Sequence, residues 1–418
     1  MSQSQGQSSS RSLDRAAGAR PIAAHFTPIY LILLAFSGIA EAVMKLRRWN
    51  DWTAGDWLIN YSGGFVRRGL PGELFLLAAR ALQVPAAYFV WVFELACLGV
   101  LLFALYRLLR GSSLNLWVLA LLLSPAGLFL QVVDPITSFH KEILLFAILS
   151  ALLLLLERGA GRMALIVYLT LTCAVCVLSH EGLVFYLPYL GVALAIRYQS
   201  VRDPLQVLAL PALVAAALTV AVSRFPGDGA TAMRICASLG YHSVAVQDGC
   251  PDSITYLRYS PTYAHDVVLF SIVSGHYLRF FALTGCLALI PVVLAVRTLR
   301  ASPSARFSLT ALGWGAAVCA AGSTILFVYG TDWDRWIYIH MVCVTLLLLY
   351  IDFRRLPRPE PVQSFLRPQR LILSALLLLY CTSWTPAPFD SKVPLWGVAH
   401  FVKIVARTPF HPLPLPPR

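Results

Sequence analysis

Five stretches of this sequence crowd carboxylates, cations and aromatic rings together. The segment Lys45–Arg68 reads KLRRWNDWTAGDWLINYSGGFVRR and holds Asp51, Asp56, Tyr61, the Gly63-Gly64 pair and Arg67-Arg68. Asp134 opens a second stretch that closes on His140-Lys141-Glu142. His180-Glu181 is the third, set between two apolar runs. The fourth covers 224–265 and carries Arg224, Arg234, Arg258, Cys236 and Cys250. The fifth is Asp332-Trp333-Asp334-Arg335-Trp336. A carboxylate beside a cleft can take a hydroxyl proton or hold a divalent cation such as Mg or Mn. Arginine offers a forked donor that suits phosphate. Nearby glycines let a backbone approach a ligand. Carboxylates flanked by Trp suit a sugar, because hydroxyls donate to the acids and flat rings pack on its apolar face.

Each set also has a plainer reading. Asp51 can pair with Arg47 or Arg48, and Arg67-Arg68 can anchor to anionic headgroups. Glu142 in a first turn complements a helix dipole. The 332–336 stretch can be an interfacial Trp belt with an Asp–Arg pair. His180-Glu181 is not a zinc-protease signature, because Gly182-Leu183-Val184-Phe185 follow it and no second His arrives at the fourth position. A metal ligand, an acid/base pair and a substrate hydrogen-bonding pair all remain open there. Cys236 and Cys250 are the two cysteines outside the apolar runs. In an oxidising compartment they can close a loop of about 15 residues, worth ~3 kcal/mol by chain entropy.

The elements that must position these groups follow from composition. Of 418 residues, 58% are hydrophobic and 13% charged, and the mean hydropathy is +0.71. Soluble chains carry about 25% charged residues, so an ordinary soluble enzyme is excluded. Disorder is excluded by the same figures, and a disulfide scaffold by a cysteine count of nine, where such chains carry roughly 8–10%. A crossing helix needs about 20 apolar residues. Eleven stretches predict an all-α, polytopic membrane protein: 27–44, 84–106, 114–132, 142–156, 163–179, 182–196, 205–223, 277–296, 308–329, 337–351 and 371–385. Residues 71–83 and 262–275 are apolar but short, and are expected to lie in the interface. Residues 1–24 read as a disordered cytoplasmic N-terminus, 25–385 as one membrane domain, and 386–418 as an extracytoplasmic tail. There is no internal repeat, P-loop, dinucleotide fingerprint or nucleophile elbow.

Lysine and arginine placement sets the expected orientation. With the N-terminus inside, the cytoplasmic side holds 17 Lys/Arg against five acids, and the outer side 16 against 13. The net charge of +13 therefore serves insertion and needs no nucleic-acid partner. All five chemistry-bearing stretches fall outside, while the inner loops are short and nearly free of acids. That contrast predicts one extracytoplasmic cavity, with substrate delivered by lipid.

Asp51 and Asp56 after the first span, then Tyr61 and Gly63-Gly64, resemble the first outer loop of the GT-C superfamily of membrane glycosyltransferases. The resemblance covers about 25 residues beyond the shared many-span architecture. It implies an inverting hexosyl- or pentosyltransferase that uses a polyprenyl-phosphate sugar and a glycan or lipid acceptor. Its setting would be the bacterial inner membrane, with the site on the periplasmic side. On that resemblance Asp56 is the expected base, with Asp51 next. Arg67, Arg68, Lys141 and Arg335 are expected on the donor phosphate. Tyr61, Asp134, His140, Glu142, His180, Glu181, Asp332, Trp333 and Asp334 are expected on substrate or metal. The superfamily often has a soluble C-terminal domain; without one, acceptor recognition would fall to 224–265 and the tail. A polysaccharide polymerase or ligase is the competing enzyme reading, and a lipid-linked glycan transporter the non-enzymatic one. Transporters usually show repeats and mid-membrane charges.

Overall fold

The computed structural model describes residues 25–43, 52–110, 114–133, 140–240, 250–355 and 367–386, and the regular elements among them are helices. Helix α1 (His25–Val43) precedes a short α2 (Trp52–Trp57) and α3 (Gly69–Leu82). Then come α4 (Ala86–Leu109), α5 (Leu116–Leu122), α6 (Glu142–Glu157) and α7 (Arg162–Ser179). Next are α8 (Pro188–Tyr198), α9 (Arg202–Ser223), α10 (Gly229–Ser238) and α11 (Pro261–Ser274). The last four are α12 (Tyr277–Arg300), α13 (Arg306–Tyr329), α14 (Trp333–Arg354) and α15 (Arg367–Thr382). Seven of these are long and apolar enough to cross a membrane: α1, α4, α7, α9, α12, α13 with its leading 3-10 turn, and α14. The 24 residues of α4 span about 36 Å, more than the roughly 30 Å hydrocarbon layer.

The other four expected spans take different forms. The stretch 114–132 is broken: α5 ends at Leu122, turns follow, and a single helical turn resumes at Leu130–Val133. Pro125 disfavours helical backbone at Ser124 before it. The stretch 182–196 opens as a 3-10 segment, Glu181–Tyr186, and restarts as α8 at Pro188, where a proline is tolerated as the first helical residue. The apolar part of α15 is only Leu371–Thr382. Helix α6 has 16 residues, about 24 Å, and is buried nearly all round. A helix that is apolar on every face belongs in a core. It packs against α14, which is also largely buried, and Phe146 meets Tyr338 edge-on at 5.2 Å. These two central helices run the same way, since the N-terminal residues Glu142 and Arg335 are 3.1 Å apart.

Outside this pair, α4 packs on α6, α7 on α9, and α8 on α13. Helix α3 is pressed onto the chain before it. A Cβ at Gly72 would overlap the Ile59 carbonyl, and one at Gly69 would overlap the Tyr61 ring. A Cβ at Gly63 would meet Thr231. Gly63, expected to admit a ligand, instead admits the protein's own chain, as do Gly69 and Gly72. We expect Gly72→Ala to destabilise the fold by ~1–3 kcal/mol, because backbone must give way. A lowered thermal unfolding midpoint in detergent checks this, and an unchanged midpoint contradicts it. Residues 1–24, Asp51, Asp134 and the tail from 387 on lie outside the described residues.

Candidate functional site

The N-termini of α3, α6 and α14 and the C-termini of α7 and α13 meet at one end of the bundle. A cavity of about 730 Å3 opens among them. Arg67, Arg68, His140, His180, Glu181, Asp332, Asp334, Arg335 and Trp336 all line it. Residues from all five stretches, separated by up to some 270 positions in sequence, thus line one cavity.

Glu181 is the hub of one side. It accepts from Arg68 Nε at 2.9 Å and Arg68 Nη2 at 2.7 Å, and from Arg67 Nη1 at 3.0 Å. Arg67 is tied further by its Nε to the Pro226 carbonyl at 3.1 Å and by its N–H to the Phe225 carbonyl at 3.0 Å. Arg68 has φ 67, the left-handed region, a strain of ~1–3 kcal/mol that clusters at functional sites. That turn aims its carbonyl at Lys141 Nζ, 3.2 Å away. Burial alone would raise the Glu181 carboxyl, but Arg68 and Arg67 outweigh it and hold it well below the usual range.

Asp56 lies one layer behind the lining, 2% exposed. Its Oδ1 is 3.6 Å from Lys141 Nζ and 3.5 Å from Arg68 Nη1. Burial pushes this carboxyl up, yet Lys141 and Arg68 win and keep it below its ordinary value. Lys141 is fully buried. Burial pushes its ammonium down to about 8, with Asp56 opposing and Arg68 adding to the fall.

The opposite side is built on Arg335. It reaches Glu142 Oε2 at 3.1 Å and Asp332 Oδ2 at 2.7 Å, and its guanidinium lies 5.5 Å from the Trp336 ring centre. Asp334 accepts from the Arg335 backbone N–H at 2.9 Å. Glu142 sits behind the wall, not in it. His180 packs edge-on to Trp336 at 6.3 Å. Its Nδ1 accepts from the Gly182 N–H at 3.1 Å, which leaves Nε2 to carry the proton. Burial, reinforced by Arg68, pushes His180 down to about 3, so the ring is neutral at physiological pH.

Two expected substrate residues lie elsewhere. The Tyr61 ring stacks on Phe65 at 5.3 Å, and its backbone N–H binds Glu73 at 2.9 Å. Trp333 is buried against Phe281 and Phe327, and its Nε1 donates to the Phe327 carbonyl at 3.0 Å. Both are packing groups.

An aromatic wall completes the cavity from Trp52, Tyr256, Tyr259, Tyr263 and Tyr329. Trp52 meets Tyr256 edge-on at 5.3 Å, and Tyr259 stacks on Tyr263 at 4.4 Å. Single tyrosines look like ordinary interfacial residues, so sequence reasoning passed over them. Their spacing gave no signal either: Tyr256 sits in a 3-10 turn, Tyr259 is extended, and Tyr263 is in the first turn of α11, so only the fold groups them. A disulfide between Cys236 and Cys250, Cα atoms 5.9 Å apart, ties α10 to the start of this tyrosine segment.

A resident divalent cation does not fit these carboxylates. Asp56, Glu181 and Asp332 already face Lys or Arg at 2.7–3.6 Å. No group of three or more His, Cys, Asp or Glu gathers for a metal among the described residues.

The helices and their burial define an all-α, polytopic integral membrane protein with at least seven transmembrane helices. Comparison with protein-family models, curated proteins and solved structures finds no match for the chain.

Proposed function

We propose that this protein is a GT-C-type membrane glycosyltransferase. It moves a sugar from a polyprenyl-phosphate donor to a glycan or lipid acceptor during bacterial cell-surface polysaccharide synthesis. The observation that carries this reading is the shared wall: oriented arginines, carboxylates and aromatic rings around one cavity at one end of a membrane bundle. The Lys/Arg bias and the Cys236–Cys250 disulfide favour the extracytoplasmic side of the inner membrane for that end.

In the proposed reaction an acceptor hydroxyl oxygen bonds to the anomeric carbon. The bond from that carbon to the donor phosphate oxygen breaks, and polyprenyl phosphate leaves with the electron pair. Positive charge fixed where the leaving group gains negative charge is what accelerates such a step. Arg67, whose Nη2 has no protein partner among the described residues, and Arg335 take that role, with Arg68 beside them and Lys141 behind. The hydroxyl proton goes to Asp332, whose side chain is 40% exposed on the wall. We give Asp56 a positioning role instead, because it sits behind the lining and holds Lys141 and Arg68 in place. Neutral His180, Asp334 and the tyrosine wall bind sugar hydroxyls and the sugar's apolar face.

The test supplies purified protein with a synthetic polyprenyl-phosphate sugar, labelled in the sugar, and a membrane glycan fraction. Label should move into a new covalent product as polyprenyl phosphate is released, and Asp332→Asn should slow this at least ~100-fold. With the protein reconstituted in sealed vesicles, label that crosses the membrane without a new bond overturns the reading in favour of transport. Elongation of a polyprenyl-diphosphate oligosaccharide alone overturns it in favour of a polymerase.

The site also predicts a pH dependence. Lys141 loses its proton near pH 8 in the folded protein, against about 10.4 for an ordinary lysine. The cavity therefore loses one positive charge as pH rises through 8, and transfer should fall along an alkaline limb there. Lys141→Arg keeps the charge and should remove that limb. A limb unmoved by the substitution assigns it to another group.

A further inference from the structure

A second feature lies at the far end of α13. Leu326 and Tyr329 at its C-terminus line the cavity. The 20 positions from Leu326 back to Arg306 put that residue about 30 Å away along the axis. There, an open groove of about 780 Å3 is lined by Arg300 and Arg306 with Thr310, Gly313, Trp314 and Ala317. Thr310, Gly313 and Ala317 step by three and four, so they form one face of α13. A Cβ at Gly313 would meet nothing within 4 Å among the described residues, so none of them fills the groove there. The other side of α13 is packed, with Gly315 against Val192 of α8.

The groove joins two needs that the described residues leave unmet. Trp314 is 72% exposed and Val318 56% exposed, an apolar surface that water would not tolerate but acyl chains would. Arg300 and Arg306 are exposed, and neither has a carboxylate partner among the described residues. A second basic groove of the bundle differs. It is lined by Arg107 and Arg158 but also contains Glu157, which pairs with Arg354 at 3.8 Å. A neutral lipid would satisfy the apolar floor but not the two arginines. An anionic headgroup above acyl chains satisfies both.

We propose that this groove is a binding site for an anionic phospholipid. The lipid phosphate lies between Arg300 and Arg306, and an acyl chain runs along Thr310, Gly313 and Ala317 with Trp314 beside it. The site is independent of the cavity chemistry.

The experiment uses the full chain in detergent, titrated with phosphatidylglycerol or phosphatidylcholine of identical acyl chains and read by native mass spectrometry. Phosphatidylglycerol should be retained roughly thirtyfold more strongly than phosphatidylcholine, the size expected of two surface arginines. The double variant R300Q/R306Q should lose most of that preference, and inorganic phosphate at equal concentration should not compete. Trp314→Ala should weaken both lipids. As a folding control, R107Q/R158Q should keep the preference. Equal retention of the two lipids by the unaltered protein overturns the proposal, as does a preference that survives R300Q/R306Q. A preference lost only in R107Q/R158Q moves the site elsewhere and overturns it too.

Discussion

Asp56→Asn is expected to cost the fold about 3–5 kcal/mol, the penalty for stripping one partner from a buried ion pair. The carboxylate is 2% exposed and Lys141 wholly enclosed. With the charge gone, the ammonium faces neutral acceptors, the Arg68 carbonyl at 3.2 Å and the new amide oxygen, in place of a carboxylate. Lys141 already sits near 8 because burial disfavours its charge, so the variant should drive it neutral, and Arg68 should lose one of its two carboxylates. The proposed sugar transfer should fall as well, because the arginine side of the cavity loosens. The double variant D56N/K141M removes both charges and should recover most of the lost stability, since a buried pair replaced as a pair is often neutral. Thermal unfolding in one detergent reads both. If D56N unfolds like the unaltered protein while transfer is abolished, Asp56 is the base after all and the positioning role fails.

Arg335→Met should be nearly as damaging to stability and more damaging to chemistry. Arg335 bridges Glu142, whose side chain is 1% exposed, and Asp332. Its loss leaves the Glu142 charge enclosed at the start of α6, again ~3–5 kcal/mol. Transfer should drop by ~100- to 1,000-fold, because a donor aimed at the developing phosphate charge is gone. Arg335→Lys should hold part of the stability but little of the rate. A single ammonium cannot present the two parallel donors that join α6 to Asp332. E142Q/R335M should regain stability and stay inactive, which separates the fold from the chemistry. Full transfer by a folded R335M would remove Arg335 from the donor site.

Much of this arrangement was legible before any coordinates. Arg67-Arg68, His180-Glu181 and Asp332–Trp336 stood out because charge in an apolar chain is rare and costly, and the fold brings all three to one cavity. Depth was not legible. Sequence composition cannot tell that Asp56 faces inward between Lys141 and Arg68 while Asp332 faces the opening, because both are acids in short loops. The role of the glycines was hidden for a similar reason. Close approach was predictable, but the partner at Gly69 is Tyr61, only eight residues upstream. Hydropathy counted the 114–132 stretch as one continuous span because it measures apolarity and does not register that Pro125 divides it.

The proposed occupant of the cavity between Glu181 and Arg335 is a lipid-phosphate sugar. Photolabelling tests it most directly, using a polyprenyl-phosphate sugar that carries a photoreactive group on the sugar, followed by peptide mapping of the whole chain. The account predicts crosslinks on the 252–263 and 326–336 segments, lost in R67Q/R335Q and competed by unlabelled donor. Labelling confined to the outer faces of the helices, or unchanged in that variant, would contradict it.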